Sequence, residues 1–259
     1  MLPAAEAPVP AVFASDTPAF DQGPQRSAKM PRIGPESAGT RPSSAAHVVP
    51  GRGASWLALV RARYPNPRMA EPAYRSSVCR AVLSAVDELL EPAVRQRILE
   101  RAPADAIARI RDTGRLGWVP AETLRAVNLV IADELGMEGY RDFFRRQTLQ
   151  QVEMPIFAAM FRGALRVFGV EPSGLLRLLG RSWDAVTQAL GHIECMFEGP
   201  HAARIRLFGV PAGVRIEPMA FSMEGSILAL LELAGRSGVV TTDSTQLMSD
   251  GILEMLVTW

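Results

Sequence analysis

HIECMFEGPHAARIRLFGV, residues 192–210, is the stretch whose reading decides the fold. Before it, apolar residues recur every three or four positions; from His192 they recur every two. Ile193, Cys195 and Phe197 alternate with His192, Glu194, Met196 and Glu198. After the turn chemistry of Glu198-Gly199-Pro200-His201, Ala203, Ile205 and Leu207 alternate with Arg204 and Arg206. That pattern predicts a hairpin, His192–Glu198 and Ala202–Val210, with one dry and one wet face. Glu194 and Glu198 against Arg204 and Arg206 would support the pairing across the wet face. Downstream, a helix is expected over Pro218–Ala234, burying Met223, Ile227, Leu230, Leu231 and Ala234. Two more strands follow, Gly238–Thr245 and Ile252–Trp259. The last is apolar in both alternations, which suits a central strand. A sheet with one dry face must be covered. The expected fold is therefore α+β: a helical N-terminal layer, 52–191, packed on a four-stranded, mostly antiparallel sheet built from a ββαββ unit, 192–259.

The cover is legible upstream. Val78, Val82, Ala85, Val86 and Leu89 predict an amphipathic helix over Glu71–Leu90. A short helix should open at Pro92 and another span Ala104–Asp112. Gly117-Trp118-Val119-Pro120 reads as a turn. Ala121–Leu135 carries the stripe Leu124, Val127, Val130/Ile131 and Leu135, with Gly136 as the stop. A polar helix over Glu138–Gln151, the apolar helix Met154–Val170 and a helix over Leu175–Leu190 complete the layer. Residues 1–50 hold 9 of the 20 prolines and no sustained periodicity. Such a segment buries too little surface to offset its ordering entropy, so 1–51 is expected to be a disordered tail before a single domain, 52–259.

Composition excludes several classes. Lys+Arg is 28 against Asp+Glu 27, a net charge of +1, without the basic excess that nucleic-acid binding uses. Lys29 is the sole lysine. Cys79 and Cys195 are expected as buried free thiols, which suits a reducing cytoplasm. Met1–Pro10 has no leader pattern, and Ile156–Val170, interrupted by Arg162 and Arg166, is too short to span a membrane.

The chain's histidines are His47, His192 and His201. His192-Ile193-Glu194-Cys195 offers the His-x-Glu of zinc deaminases but lacks the Pro-Cys-x-x-Cys partner. No Cys/His set has zinc-ligand spacing, and no phosphate loop or Gly-x-Ser-x-Gly elbow is present. No metal and no cofactor is expected. Two sites stay open. Phe157, Met160, Phe161 and Phe168, with Trp183, could line an apolar pocket between helix 154–170 and the sheet; ordinary core is the plainer reading. Arg141, Arg145 and Arg146 could form an anion or partner patch; a solvated helix face is the plainer reading.

From Gly117 onward the order of pieces carries a resemblance. Gly117-Trp118-Val119-Pro120 leads to a helix, then Gly136-Met137-Glu138-Gly139-Tyr140-Arg141-Asp142-Phe143-Phe144-Arg145, an apolar helix, the strand opening Ile193-Glu194-Cys195 and the ending Leu256-Val257-Thr258-Trp259. This is similar to an uncharacterised family recurrent in myxobacterial genomes. That family resembles the superfamily of heme-nitric-oxide-binding domains, 4-vinyl-reductase-like sensory domains and transport-particle subunits. The resemblance implies helices over a curved antiparallel sheet. Heme-binding members use a helix histidine and a Tyr-x-Ser-x-Arg clamp. Tyr74-Arg75-Ser76-Ser77-Val78 begins the clamp but has Val78 where the arginine belongs, and no expected core helix holds a histidine. The resemblance therefore implies the fold without heme.

The function expected from these readings is a non-enzymatic, cytoplasmic module for ligand sensing or protein interaction. It would bind a small apolar ligand or a protein partner, or form a homodimer. One alternative is a structural subunit of a larger assembly. Another is a small hydrolase or transferase using His192 or His201.

Overall fold

The computed structural model describes residues 70–153 and 171–259. Its strands are β1 (Ala73–Arg75), β2 (Trp118–Pro120), β3 (Thr187–Gln188), β4 (His192–Gly199), β5 (Ala202–Phe208), β6 (Val239–Asp243) and β7 (Leu253–Thr258). Its helices are α1 (Ser76–Leu89), α2 (Pro92–Arg101), α3 (Ala104–Asp112), α4 (Ala121–Glu153), α5 (Pro172–Leu176), α6 (Leu179–Val186), α7 (Pro218–Leu233) and α8 (Leu247–Asp250). The expected α+β architecture is present. A four-stranded antiparallel sheet, in the order β4-β5-β7-β6, lies against the helices. As expected, β7 is central: Leu253, Met255 and Val257 are buried and pair with β5, and Met255 and Val257 pair with β6 on the other side. The wet face carries its charge pairs, Glu198–Arg204 at 2.6 Å and Glu254 with Arg206.

A second sheet of three short strands, β2-β1-β3, was not legible in the sequence. The helix expected from Glu71 begins only at Ser76; before it, Tyr74 pairs with Val119 and Thr187. The apolar stripe had supported a helix only from Val78 onward. The expected turn at 117–120 is the partner strand β2. Buried Ser76 fixes the strand-to-helix corner: its backbone N–H donates to Gly117 O at 3.0 Å, and its Oγ donates to Thr113 O at 3.0 Å. The helix expected over Leu175–Leu190 is two short helices and β3. Gly180 brings α6 onto β4, where a Cβ would stand 2.7 Å from Ile193 O. The strand ends are also shorter than expected, at Phe208, Asp243 and Thr258. The expected tail, 1–51, and the apolar helix, 154–170, lie outside the described residues.

Two hydrophobic cores result. One joins the sheet's dry face (Ile193, Ala203, Ile205, Leu207, Leu253, Met255, Val257) to α7 through Met223, Ile227, Leu230 and Leu231. The other joins α1, α2 and α3 to α4 through Val82, Val86, Ile98, Ile110, Val127, Ile131, Tyr140 and Phe143. Helices α4 and α7 pack on each other and connect the cores. At their crossing Gly225 lies against backbone: a Cβ there would stand 2.1 Å from Arg141 O and 3.0 Å from Arg145 N. Helix α4 is broken at Gly136 (φ 66°, ψ 167°), the expected stop, and resumes in a new direction at once. That region of backbone space is essentially reserved for glycine. On the outer face Arg101 reaches both Asp133 and Glu134 at 2.5 Å, so these neighbouring carboxylates share one guanidinium. Hydrogen bonds from Arg97 and Arg101 hold the Glu134 carboxyl below its ordinary range.

Candidate functional site

Where the cores meet lies a small, partly open cavity of about 40 Å³, lined by polar and apolar groups alike. Ala121, Arg125 and Asn128 lie four and three residues apart, hence on one face of α4. Tyr140 comes from α4 beyond the Gly136 break, Met219 and Ser222 from the start of α7, Val214 and Ile216 from the turn before it, and Tyr74 from β1. The break is what turns Tyr140 back towards the face that carries Arg125. Tyr140 is wholly buried, and its Oη has no hydrogen-bond partner among the described residues. The same holds for Arg125 Nε and Asn128 Oδ1. A buried polar group left unmatched costs about 1–3 kcal/mol. Three around one cavity mark a place that holds a polar guest, water included.

The electrostatics are one-sided. Among the described residues Arg125 is the only charged side chain on the wall, and it makes no ion pair with another of them. Burial first, and then the Tyr74 phenol, push the Tyr140 phenol well above its ordinary pKa. Ser222 tempers the shift from nearby: its hydroxyl donates to Met219 O at 2.8 Å and keeps lone pairs towards the Tyr140 phenol, although the two are not aligned for a well-formed hydrogen bond. Tyr74 is partly exposed as a residue, yet its phenol end is shut in; burial, then the Cys79 thiol, raise it too. Both phenols stay protonated through the neutral range. Outside lies a wider groove of about 530 Å³, lined by Leu129, Gly136, Met137, Arg215 and Met248 among others. Arg125 and Ile216 line both spaces, so they form the wall between groove and cavity.

The residues singled out from the sequence fall elsewhere. Phe157, Met160, Phe161 and Phe168 lie outside the described residues. Trp183 is half-buried against the sheet's core; its Nε1–H donates to Gly191 O at 3.2 Å, and its ring meets Tyr74 edge-on at 6.3 Å. Arg141, Arg145 and Arg146 already face carboxylates: Glu138 and Glu224 for Arg141, Asp142 and Glu232 for Arg145, Asp142 for Arg146. His192 Nδ1 meets Asp184 Oδ1 at 2.9 Å, and exposed His201 stands edge-on to Trp259. Neither histidine lines the cavity or the groove. Of the Tyr74-x-Ser76 fragment, Tyr74 reaches the cavity and Ser76 is structural. Periodicity could not separate Arg125 and Asn128 from an ordinary wet face. The one available hint was that they extend a line from Ala121, beside the Leu124–Val127 stripe.

The thiols take no part. Burial pushes Cys79 up to about 12 and Cys195 up to about 11, so both are neutral and unreactive near pH 7. For Cys79 the folded value lies above the ordinary thiol value of 9.0, so stability present below about pH 9 falls as the pH rises towards 12. Among the described residues no three His, Cys, Asp or Glu side chains form a metal-holding group, and no helix is long and apolar enough to cross a membrane.

No family model and no curated protein matches the chain. Solved structures do. An H-NOX protein from S. oneidensis in the Fe(II)NO ligation state matches at TM-score 0.50 and 12% identity, over 71% of this chain and 97% of that one. An H-NOX mutant from T. Tengcongensis matches at 0.50 and 11%, over 71% and 96%. An Fe(II) unliganded H-NOX mutant from K. algicida matches at 0.51 and 7%, over 71% and 95%. At these identities the likeness is one of fold, and it agrees with the superfamily resemblance at that level.

The described residues do not fit a heme, the group that the heme-binding members of the resembled superfamily hold. Heme iron takes an imidazole, thiolate, thioether or phenolate ligand. His192 and His201 are on or beside β4, paired and exposed respectively, away from both spaces. A cavity of about 40 Å³ is far below the roughly 300 Å³ at which organic-ligand pockets begin. The wider groove offers Met137 and Met248 but no histidine, cysteine or tyrosine.

Proposed function

We propose that this chain is a ligand-sensing domain that uses the H-NOX-like fold without heme, and that its ligand is a small polar molecule held at the junction of the two cores. The observation that carries this reading is that Tyr140, Arg125 and Asn128 line one small cavity, and that each has a buried polar atom, Oη, Nε and Oδ1, without a hydrogen-bond partner among the described residues. A guest there touches both halves of α4, the start of α7 and β1. Its binding free energy is thereby coupled to how the helical core sits on the sheet. Nothing in the arrangement supplies a nucleophile–base pair, so the role is binding rather than catalysis. An acidic partner at Arg141, Arg145 and Arg146 would first have to displace Glu138, Glu224, Glu232 and Asp142.

The test has two arms on the full-length chain. Titration with hemin under reducing conditions is expected to give no saturable Soret band. Titration with probes of three or four heavy atoms (formamide, urea, formate, nitrate) is expected to shift the Asn128 side-chain amide resonance saturably for at least one of them. A saturable heme spectrum, or an Asn128 resonance indifferent to every probe, would overturn the reading.

A further inference from the structure

The cavity's walls specify more than polarity. Resting on the ligand-binding role just given, we infer that the cavity is a site for a small monovalent anion, a carboxylate or oxyanion of three or four heavy atoms, bound between Arg125 and Tyr140. Arg125 brings a full positive charge that no described carboxylate neutralises, and its Nε–H is buried without an acceptor. Tyr140 brings an O–H that is wholly buried and equally unmatched. Two donors on one cavity call for an acceptor. The Asn128 amide, whose two ends are interchangeable by a half-turn, can present its N–H2 to the same guest. Ala121, Val214, Ile216 and Met219 form the rest of the wall. Their low polarity strengthens a charge–charge contact relative to water. Because the phenols remain protonated, they donate to an anion rather than repel it.

Size sets the upper limit. A water needs roughly 10–15 Å³ measured in this way, so about 40 Å³ admits three or so heavy atoms. Formate and nitrite fit that figure; sulfate, with five heavy atoms and two charges, does not. The acids nearest the entrance are Asp133 and Glu217, which line the outer groove and not the cavity. Asp133 is taken by Arg101. The route in from the groove is past Arg125 and Ile216, so the residue that binds the anion also stands at its door.

Formate and formamide are nearly isosteric and differ in charge, which makes them the deciding probes. Thermal unfolding of the full-length chain is followed at constant ionic strength, with gluconate, too large for the cavity, as the balancing anion. Formate at tenfold its Kd is expected to raise Tm by about 3–6 °C, growing with the logarithm of its concentration above that, and formamide far less. Arg125→Met is expected to abolish the formate response. Tyr140→Phe removes only the unmatched hydroxyl, so it is expected to fold with an unchanged or higher Tm and to bind formate about tenfold more weakly. It keeps the test decisive should Arg125→Met fail to fold. Formamide matching formate, or a formate response that survives in both variants, overturns the anion inference and leaves a neutral-ligand site standing. A chain indifferent to both probes overturns the anion inference and counts against the sensing role as well.

Discussion

Replacing Gly225 by alanine is expected to lower the stability of the domain by about 1–3 kcal/mol, which for a domain of this size is a fall in Tm of roughly 2–12 °C. The added Cβ would stand 2.1 Å from the Arg141 carbonyl oxygen and 3.0 Å from the Arg145 nitrogen. Both neighbours are backbone of a packed helix, so neither can step aside as a flexible side chain would. Relief requires α4 and α7 to separate. Their separation loosens the packing between the sheet's core and the helical core, and it spreads the cavity walls that Tyr140 and Ser222 provide. The loss should therefore be cooperative, with a larger penalty for Gly225→Val. Calorimetric melting of the two variants checks this; a Tm within 1 °C of the parent for Gly225→Ala would show that the helices do not cross at this distance.

Gly136→Ala is expected to cost about 1–3 kcal/mol for a different reason. A Cβ at this position meets nothing within 4 Å. The penalty is purely conformational, because φ 66° with ψ 167° is closed to L-residues. The variant can escape only by continuing α4 as a straight helix, which would swing Tyr140 away from Arg125. For a D-alanine placed there by semisynthesis, φ 66° and ψ 167° mirror what φ −66° and ψ −167° are for an L-residue, close to ordinary extended backbone. It is expected to restore most of the stability. Equal destabilisation by the D- and L-residues would mean that the space around position 136, not its backbone geometry, sets the cost.

The sheet was legible because its residues answer a local rule. Ile205, Leu207, Leu253, Met255 and Val257 alternate strictly and are all buried. The rule weakens where the sheet ends: on edge strand β4, Ile193 is buried, but Cys195 and Phe197 are only half so. Strand β1 was missed because three residues are too few to display an alternation, and Tyr74-Arg75 sits against the start of a strong helical stripe. The break at Gly136 was visible as a stop signal, and so was the helix expected from Glu138; the structure differs only in that the second helix resumes at once, with Gly136 as the single non-helical residue between them. The cavity was illegible for a deeper reason. Arg125 and Asn128 are polar residues on a helix, and only the arrival of α7, far along the chain, turns that face inward. The aromatic and methionine spacing of Phe157, Met160, Phe161 and Phe168 is a property of one stretch of sequence. A polar site is a property of several elements at once.

The most direct measurement is a crystal structure of the full-length chain grown in formate, at a resolution that orders bound waters and small ions. Density for a guest is expected in the cavity, with one acceptor atom within about 3.2 Å of both Tyr140 Oη and Arg125 Nε. A collapsed cavity, with Tyr140 and Arg125 hydrogen-bonded to protein groups instead, would contradict it.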